Sequence, residues 1–250
     1  MPVRPIVRLG HPTLRSVAQA LPPGRIAEPA MQELIDDMIE TMRAAHGVGL
    51  AAPQLGTSLQ IFVYELAPIE VPPEAPADAP DAPAVAPETR TPEAREPARL
   101  AAEAVRQAGA PIPLHVVINP MLTPQSGELV YDWEGCLSIP DLRGLVPRHP
   151  AVRVRGLDRL GQALDYVAQG FEARIVQHEH DHLNGVLFLD RMRDLKALAF
   201  REEWERYMAP GSAEPPDPFA LHPPASPSGT VQPEEEPVLA SAHRGDPEVI

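Results

Sequence analysis

Proline divides this chain into parts that can build secondary structure and parts that cannot. Its ring fixes φ and removes a backbone donor, so dense proline excludes helix interiors and sheet ladders alike. Of the 33 prolines in 250 residues, 21 lie in two stretches, residues 65–113 and 209–250. The same stretches carry −5 and −6 of the formal net charge of −14. Residues 67–98 repeat Pro, Ala and Glu, with too little apolar surface to offset the entropy of ordering. Residues 98–108 read as a transient helix. The expectation is therefore a single folded domain over 1–208. A disordered insert interrupts it at about 66–113, and an acidic Pro-rich disordered tail follows at 209–250.

The remaining body is close to neutral, and its composition excludes several classes. No Lys/Arg-rich face emerges and Lys196 is the only lysine, so a nucleic-acid binder driven by bulk charge is excluded. No run approaches the ~18 apolar residues of a membrane span. Met1-Pro2-Val3-Arg4-Pro5 has no apolar signal core and no myristoylation glycine. Cys136 is the single cysteine, which excludes an internal disulfide and suits a reducing compartment. A cytoplasmic protein without membrane contact is expected.

Periodicity places the elements. Met31, Leu34, Ile35, Met38, Ile39 and Met42 form one apolar stripe, predicting a helix over 29–45 with Pro29 in its first turn. Asp36, Asp37 and Glu40 fall on its wet side. A small-residue loop, 47–54, precedes a buried strand at 59–64. Strands are predicted again at 114–120, at 128–131 and around Val152 and Val154. Asp158-Arg159-Leu160-Gly161 suits a hairpin turn into a strand at 163–167. A helix starts near Phe171 and closes around Asn184-Gly185, and a last helix is expected over 194–208. Strands before and between helices, without βαβ alternation, make the class α+β.

The strongest chemical signal is His178-Glu179-His180-Asp181-His182, an H-E-x-x-H match on a segment with helical pattern. Residues i and i+4 leave one helix face a turn apart, so both imidazoles can reach one ion at ~2.0–2.1 Å. The intervening glutamate falls beside the open position, where it can take a proton from water. His180 points elsewhere and reads as a surface residue. Three continuations compete for a third ligand. A metzincin would place a histidine where Phe188 stands, so that reading fails. A thermolysin-like zinc endopeptidase would use Glu202, 20 residues after His182. The third candidate is Cys136, in Glu134-Gly135-Cys136-Leu137-Ser138.

Three stretches together resemble the signature motifs of the peptide deformylases, in the family's order. They are Gly47-Val48-Gly49-Leu50-Ala51-Ala52-Pro53-Gln54, Glu134-Gly135-Cys136-Leu137-Ser138 and Gln177-His178-Glu179-His180-Asp181-His182. The resemblance covers roughly residues 4–65 and 114–208, and the proline-rich insert departs from it. It implies antiparallel sheets around a central helix carrying H-E-x-x-H. It further implies one divalent ion on Cys136, His178 and His182, usually Fe²⁺, with Zn²⁺, Ni²⁺ or Co²⁺ compatible with the donors.

By the same resemblance, a metal-activated water attacks the formyl carbon of a formyl-methionyl peptide. Glu179 acts as general base and then acid, while Gln54 and the backbone N–H of Leu137 stabilise the oxyanion. Val48, Gly49, Phe171 and Ile175 would meet the peptide and its methionine side chain, and Glu134, Arg148 and Asp181 would form a charged support. Nascent peptides and transient ribosome contact are the implied partners; the basic residues near the last helix could dock there, but Asp194, Glu202, Glu203 and Glu205 nearly cancel their charge and favour a solvated helix. A non-catalytic metal-binding module remains the competing class, which the intact Glu179 and Gln54 disfavour.

Overall fold

In the computed structural model, which describes residues 2–66 and 110–209, strand β2 (Ile61–Leu66) shows how the layers form. Successive strand side chains point to opposite faces. Ile61 and Val63 enter one apolar cluster while Phe62 and Tyr64 enter another, so β2 is buried on both sides. The expectations for an insert across 67–109, for a transient helix at 98–108 and for the tail from residue 210 lie outside the described residues. The next strand begins at Ile112, two residues before the expected one.

Helix α1 (Pro29–Ala44) covers the first face. Its Leu34, Ile35, Met38 and Met42 pack with Ile61, Val63, Val116 and Ile118, as the stripe predicts. One expectation is corrected: Asp37 is buried, 4% exposed, rather than on the wet side. The N-terminal segment crosses that face of the helix. There Arg4 Nε donates to Asp37 at 2.7 Å and Arg4 N–H donates to Thr41 Oγ1 at 2.9 Å.

The first sheet runs β1–β2–β3–β6–β7, with β1 at Gly49–Ala51, β3 at Ile112–Pro124, β6 at Ala151–Leu157 and β7 at Ala163–Gln169. Every neighbouring pair is antiparallel. The β6–β7 turn forms where expected. The Asp158 carboxylate accepts from the Leu160 and Gln162 N–H groups at 2.8 Å each, and Gly161 takes φ +78°. Helix α2 (Gly170–Leu183) covers the second face, with Ala173, Ile175, Val176 and Leu183 against Phe62, Tyr64, Val152 and Val154. Gly170, at φ +55°, makes the abrupt strand-to-helix junction that a side chain would strain.

The second sheet is β4 (Val130–Cys136), β5 (Ile139–Arg148) and β8 (Leu198–Phe200), in the order β4–β5–β8. Between them in sequence lies a short helix, α3 (Phe188–Arg191). β5 has no counterpart in the sequence reading, because its Pro140, Asp141 and Gly144 break the alternation. The expected helix over 194–208 is corrected as well: it is confined to α4 (Arg201–Tyr207). Leu198 instead pairs with Gly144, and of Leu195, Leu198, Ala199 and Trp204, the apolar side expected of that helix, only Trp204 is buried. A backbone ladder with β5 outweighs a helix whose apolar face would have found little to cover. No helix among the described residues is long and apolar enough to cross a membrane.

Candidate metal centre

The β4–β5 hairpin and α2 bring the site together. Cys136 ends β4 and pairs with Ile139 across a two-residue turn. His178 and His182 leave α2 one turn apart, with ring centroids 5.0 Å apart. The ligand atoms of Cys136, His178 and His182 all lie within 4.8 Å of one another, and Cys136 Sγ stands 3.3 Å from His182 Nε2. It is the one such group among the described residues. Glu202 is exposed on α4 and outside it. Phe188, at the position where a metzincin would carry histidine, is a buried ring at 6.4 Å from the His178 ring.

The donor set fits a divalent ion. One thiol and two imidazoles suit a borderline-soft metal, and three protein ligands leave a position open. His178 Nδ1 is engaged by Glu134 Oε2 at 2.9 Å, which fixes the ring and leaves Nε2 for coordination. His182 Nδ1 is buried with no hydrogen-bond partner among the described residues, so none of them dictates its tautomer. Among protein groups alone, burial lowers the pKa of His182 well below the ordinary imidazole value, helped by the charge of His178. His178 goes the other way: burial opposes its charged form, but hydrogen bonds to Cys136 and Glu134 raise it well above that value. His180 turns away and contacts the Asn184 side chain at 3.3 Å.

Glu179 lies on the same helix, 4% exposed, with Oε2 buried and unpartnered. Burial pushes its carboxyl up to about 7, against the pull of the His178 charge. It rests on Gly49, where an added Cβ would fall 2.3 Å from Glu179 Oε1. Gln54 follows β1 in a 3-10 turn, Ala52–Leu55. Its Oε1 accepts the Ala51 N–H at 2.8 Å, so its amide group must face the other way, 3.6 Å from Cys136 Sγ and 3.3 Å from Ser138 Oγ. Leu137, the residue after the thiol, packs on the α1 cluster, and its Cδ1 would lie 2.7 Å from a Cβ added at Gly47. Val48 and Phe171 each pack, partly buried, against the α2 cluster that contains Ile175.

Glu134, Arg148 and Asp181 form a buried chain of charges, none more than 6% exposed. Arg148 grips both Glu134 oxygens, at 2.9 and 3.0 Å, and reaches Asp181 at 2.5 Å. Burial disfavours the Glu134 charge, yet Arg148 and the hydrogen bonds to His178 and Arg148 hold its carboxyl well below the usual range. Three participants escaped the sequence reading. Arg191 holds Asp181 from α3, at 2.6 Å. Gln177 bonds the backbone of His149 through both ends of its amide, at 3.1 and 2.8 Å. Arg174 reaches Glu134 at 2.8 Å. Of these, only Gln177 stood inside a recognisable motif.

Comparison with known proteins agrees with this geometry. The family model for polypeptide deformylase matches residues 3–198. Peptide deformylase 2 of Bordetella bronchiseptica is 40% identical over 200 residues, covering 80% of this chain and 93% of the relative. Peptide deformylase 1 of Nitrosomonas europaea is 36% identical over the same shares. The Met-Ala-Ser-bound class I type b peptide deformylase of Acinetobacter baumannii superposes with TM-score 0.59 and 33% identity, over 76% of this chain and 99% of that one. The actinonin complex of a peptide deformylase from Synechococcus elongatus gives TM-score 0.55 and 32% identity, over 78% and 81%. A match across nearly the whole of these relatives, with the thiol and two histidines converging as described, leaves one assignment: this chain belongs to the peptide deformylase family.

Proposed function

We infer that the protein is a metal-dependent hydrolase that removes the formyl group from the N-terminal formylmethionine of newly made proteins and releases formate. The observation that carries this reading is the convergence of Cys136, His178 and His182 within 4.8 Å, beside a buried carboxylate with one free oxygen. In this reading α2 is the central helix of the deformylase fold and presents H-E-x-x-H to the reaction. Cys136, His178 and His182 hold a divalent ion, for which we propose Fe²⁺. When bound, that ion supplies Lewis acidity, lowering the pKa of water and polarising the formyl oxygen.

The chain's own groups do the rest. Glu179 Oε2 takes the proton of the attacking water and returns it to the departing amine. Its burial suits that exchange, since a carboxylate of raised pKa accepts a proton more readily than an exposed one and, near neutrality, can still return it. The Gln54 amide and the Leu137 N–H face the charge that develops on the formyl oxygen. β1 is an edge strand, so the backbone at Val48 and Gly49 can accept a peptide by strand addition. Val48, Phe171 and Ile175 offer the apolar wall a methionine side chain requires. The Met-Ala-Ser complex of the Acinetobacter baumannii relative supports a peptide substrate. Transient contact with the ribosome and a cytoplasmic location follow from a nascent substrate.

Formate release from formyl-Met-Ala-Ser, with metal content determined on the same sample, tests this reading. The wild-type protein should carry about one ion per chain and release formate. Cys136→Ala should lose both. A Cys136→Ala protein that retains metal and formate release would remove Cys136 from the ligand set.

A further inference from the structure

One guanidinium ties the helix that carries the histidines to the strand that carries the thiol. Arg174 stands on α2 one turn before His178, so the two side chains leave the same helix face. It is 7% exposed, and the donors described here go to the second sheet. Nη2 donates to the Val130 carbonyl on β4 at 2.9 Å, and Nη1 donates to the Val146 carbonyl on β5 at 3.0 Å. Nη1 also donates to Glu134 Oε1 at 2.8 Å and makes a longer contact of 3.5 Å with the Asp132 carbonyl. Glu134 Oε2, on the other side of that carboxylate, engages His178 Nδ1 at 2.9 Å.

We propose that Arg174 is a positioning residue for the metal site, setting both the carboxylate that orients His178 and the strand that ends in Cys136. This rests on the ligand set proposed above and adds a residue that touches neither ion nor substrate. The contacts at 130, 132 and 134 fall at alternate positions of β4, up to the irregularity between Glu134 and Cys136 where the β4–β5 register shifts. Holding the strand to α2 immediately before that irregularity sets where the thiol emerges beside the two imidazoles. Arg148 pairs with Val130 in the β4–β5 ladder and holds the same carboxylate, but its guanidinium bonds side chains only among the bonds described.

The planar fork is what the task requires. A lysine would bring charge on one atom and could not span carbonyls on two strands and a carboxylate at once. The Arg174 acceptors lie away from the two large apolar clusters that join α1 and α2 to the first sheet. Its loss is therefore read locally, in the geometry of the ligands.

The test uses the full 250-residue chain, stripped of metal and titrated with Co²⁺ against a chelator. The ligand-field bands and the thiolate-to-cobalt charge-transfer band are recorded alongside. Arg174→Met and Arg174→Lys should both bind Co²⁺ ~10–100-fold more weakly, the range for loss of an outer-shell partner, with shifted ligand-field bands. Asp37→Asn, which weakens the half-buried pair between Arg4 and Asp37 of α1, controls for stability. It should lower the unfolding midpoint and leave Co²⁺ affinity unchanged.

Wild-type affinity and unshifted bands in both Arg174 variants would overturn the proposal. So would a loss of affinity in Asp37→Asn equal to theirs. Should Arg174→Met fail to fold, Arg174→Lys decides, because it keeps the charge and removes only the fork. A wild-type protein that binds Co²⁺ without a thiolate band gives a different result: it removes Cys136 from the ligand set and this inference with it.

Discussion

Glu179 is held in place as much by a missing atom as by any contact. An alanine Cβ at position 49 would lie 2.3 Å from its Oε1, 2.8 Å from Cδ and 2.9 Å from Cγ. Oε1 is the end of a flexible side chain, but Cγ is not, and the residue is buried, so the whole carboxylate must move. Displacement of a reacting group by about 1 Å can cost ~10²-fold in rate. Gly49→Ala should therefore lower kcat for formate release by roughly that factor while its metal content stays that of the wild type. Loss of metal in step with activity would place the damage in the ligands instead. The residues also differ in how far the sequence betrays them. His178, Glu179 and His182 are legible because one helix turn holds all three. Cys136 lies 42 residues upstream of His178, and only the joint pattern of three motifs selects it over Glu202. Arg174 leaves no signal, since an arginine on a helix reads as a solvated charge until the carbonyls of β4 and β5 are laid beside it.

At the level of elements, sequence periodicity succeeds where one face of one element is buried against one partner. α1 shows this, as does the β6–β7 hairpin, whose turn is set by Asp158 and Gly161. It fails in the second sheet, where β5 mixes proline, charge and glycine and where three residues of β8 borrow their ladder from β5. Gly144 shows what that sheet demands. Leu198 pairs with it on one side, and an added Cβ would meet Met192 Sδ at 2.5 Å and Phe188 Cε2 at 2.8 Å. Phe188 belongs to the core cluster with Leu14, Ile139, Val146 and Leu187, so its ring has little room to retreat. Gly144→Ala should destabilise the protein by about 1–3 kcal/mol, the usual cost of overpacking, measured as a lower midpoint in denaturant at constant m. An unchanged midpoint would show that Met192, which is unbranched and adaptable, yields alone.

The whole chain is best understood from the register of two strands. Leu66 on β2 pairs with Ile112 on β3, so the residues between them leave and re-enter the fold at directly opposed positions. Such a pair needs only a two-residue turn, for which Asn-Gly is suited. The three motifs and every residue of the charged support lie outside 67–111, and outside the chain beyond 209. Much of the negative charge does not: the two proline-rich stretches account for −5 and −6 of the −14, so the charge is not a property of the site. Replacing 67–111 by Asn-Gly and ending the chain at 209 should leave metal content and formate release from a short formyl peptide at wild-type level. A shorter connection between two paired strand positions also costs less closure entropy, by about 0.6 kcal/mol per halving of its length. The shortened protein should therefore unfold at the same temperature or a higher one. If it folds and carries metal but releases no formate, the proline-rich stretches take part in the reaction, and the division of the chain that proline suggests is a division of structure alone.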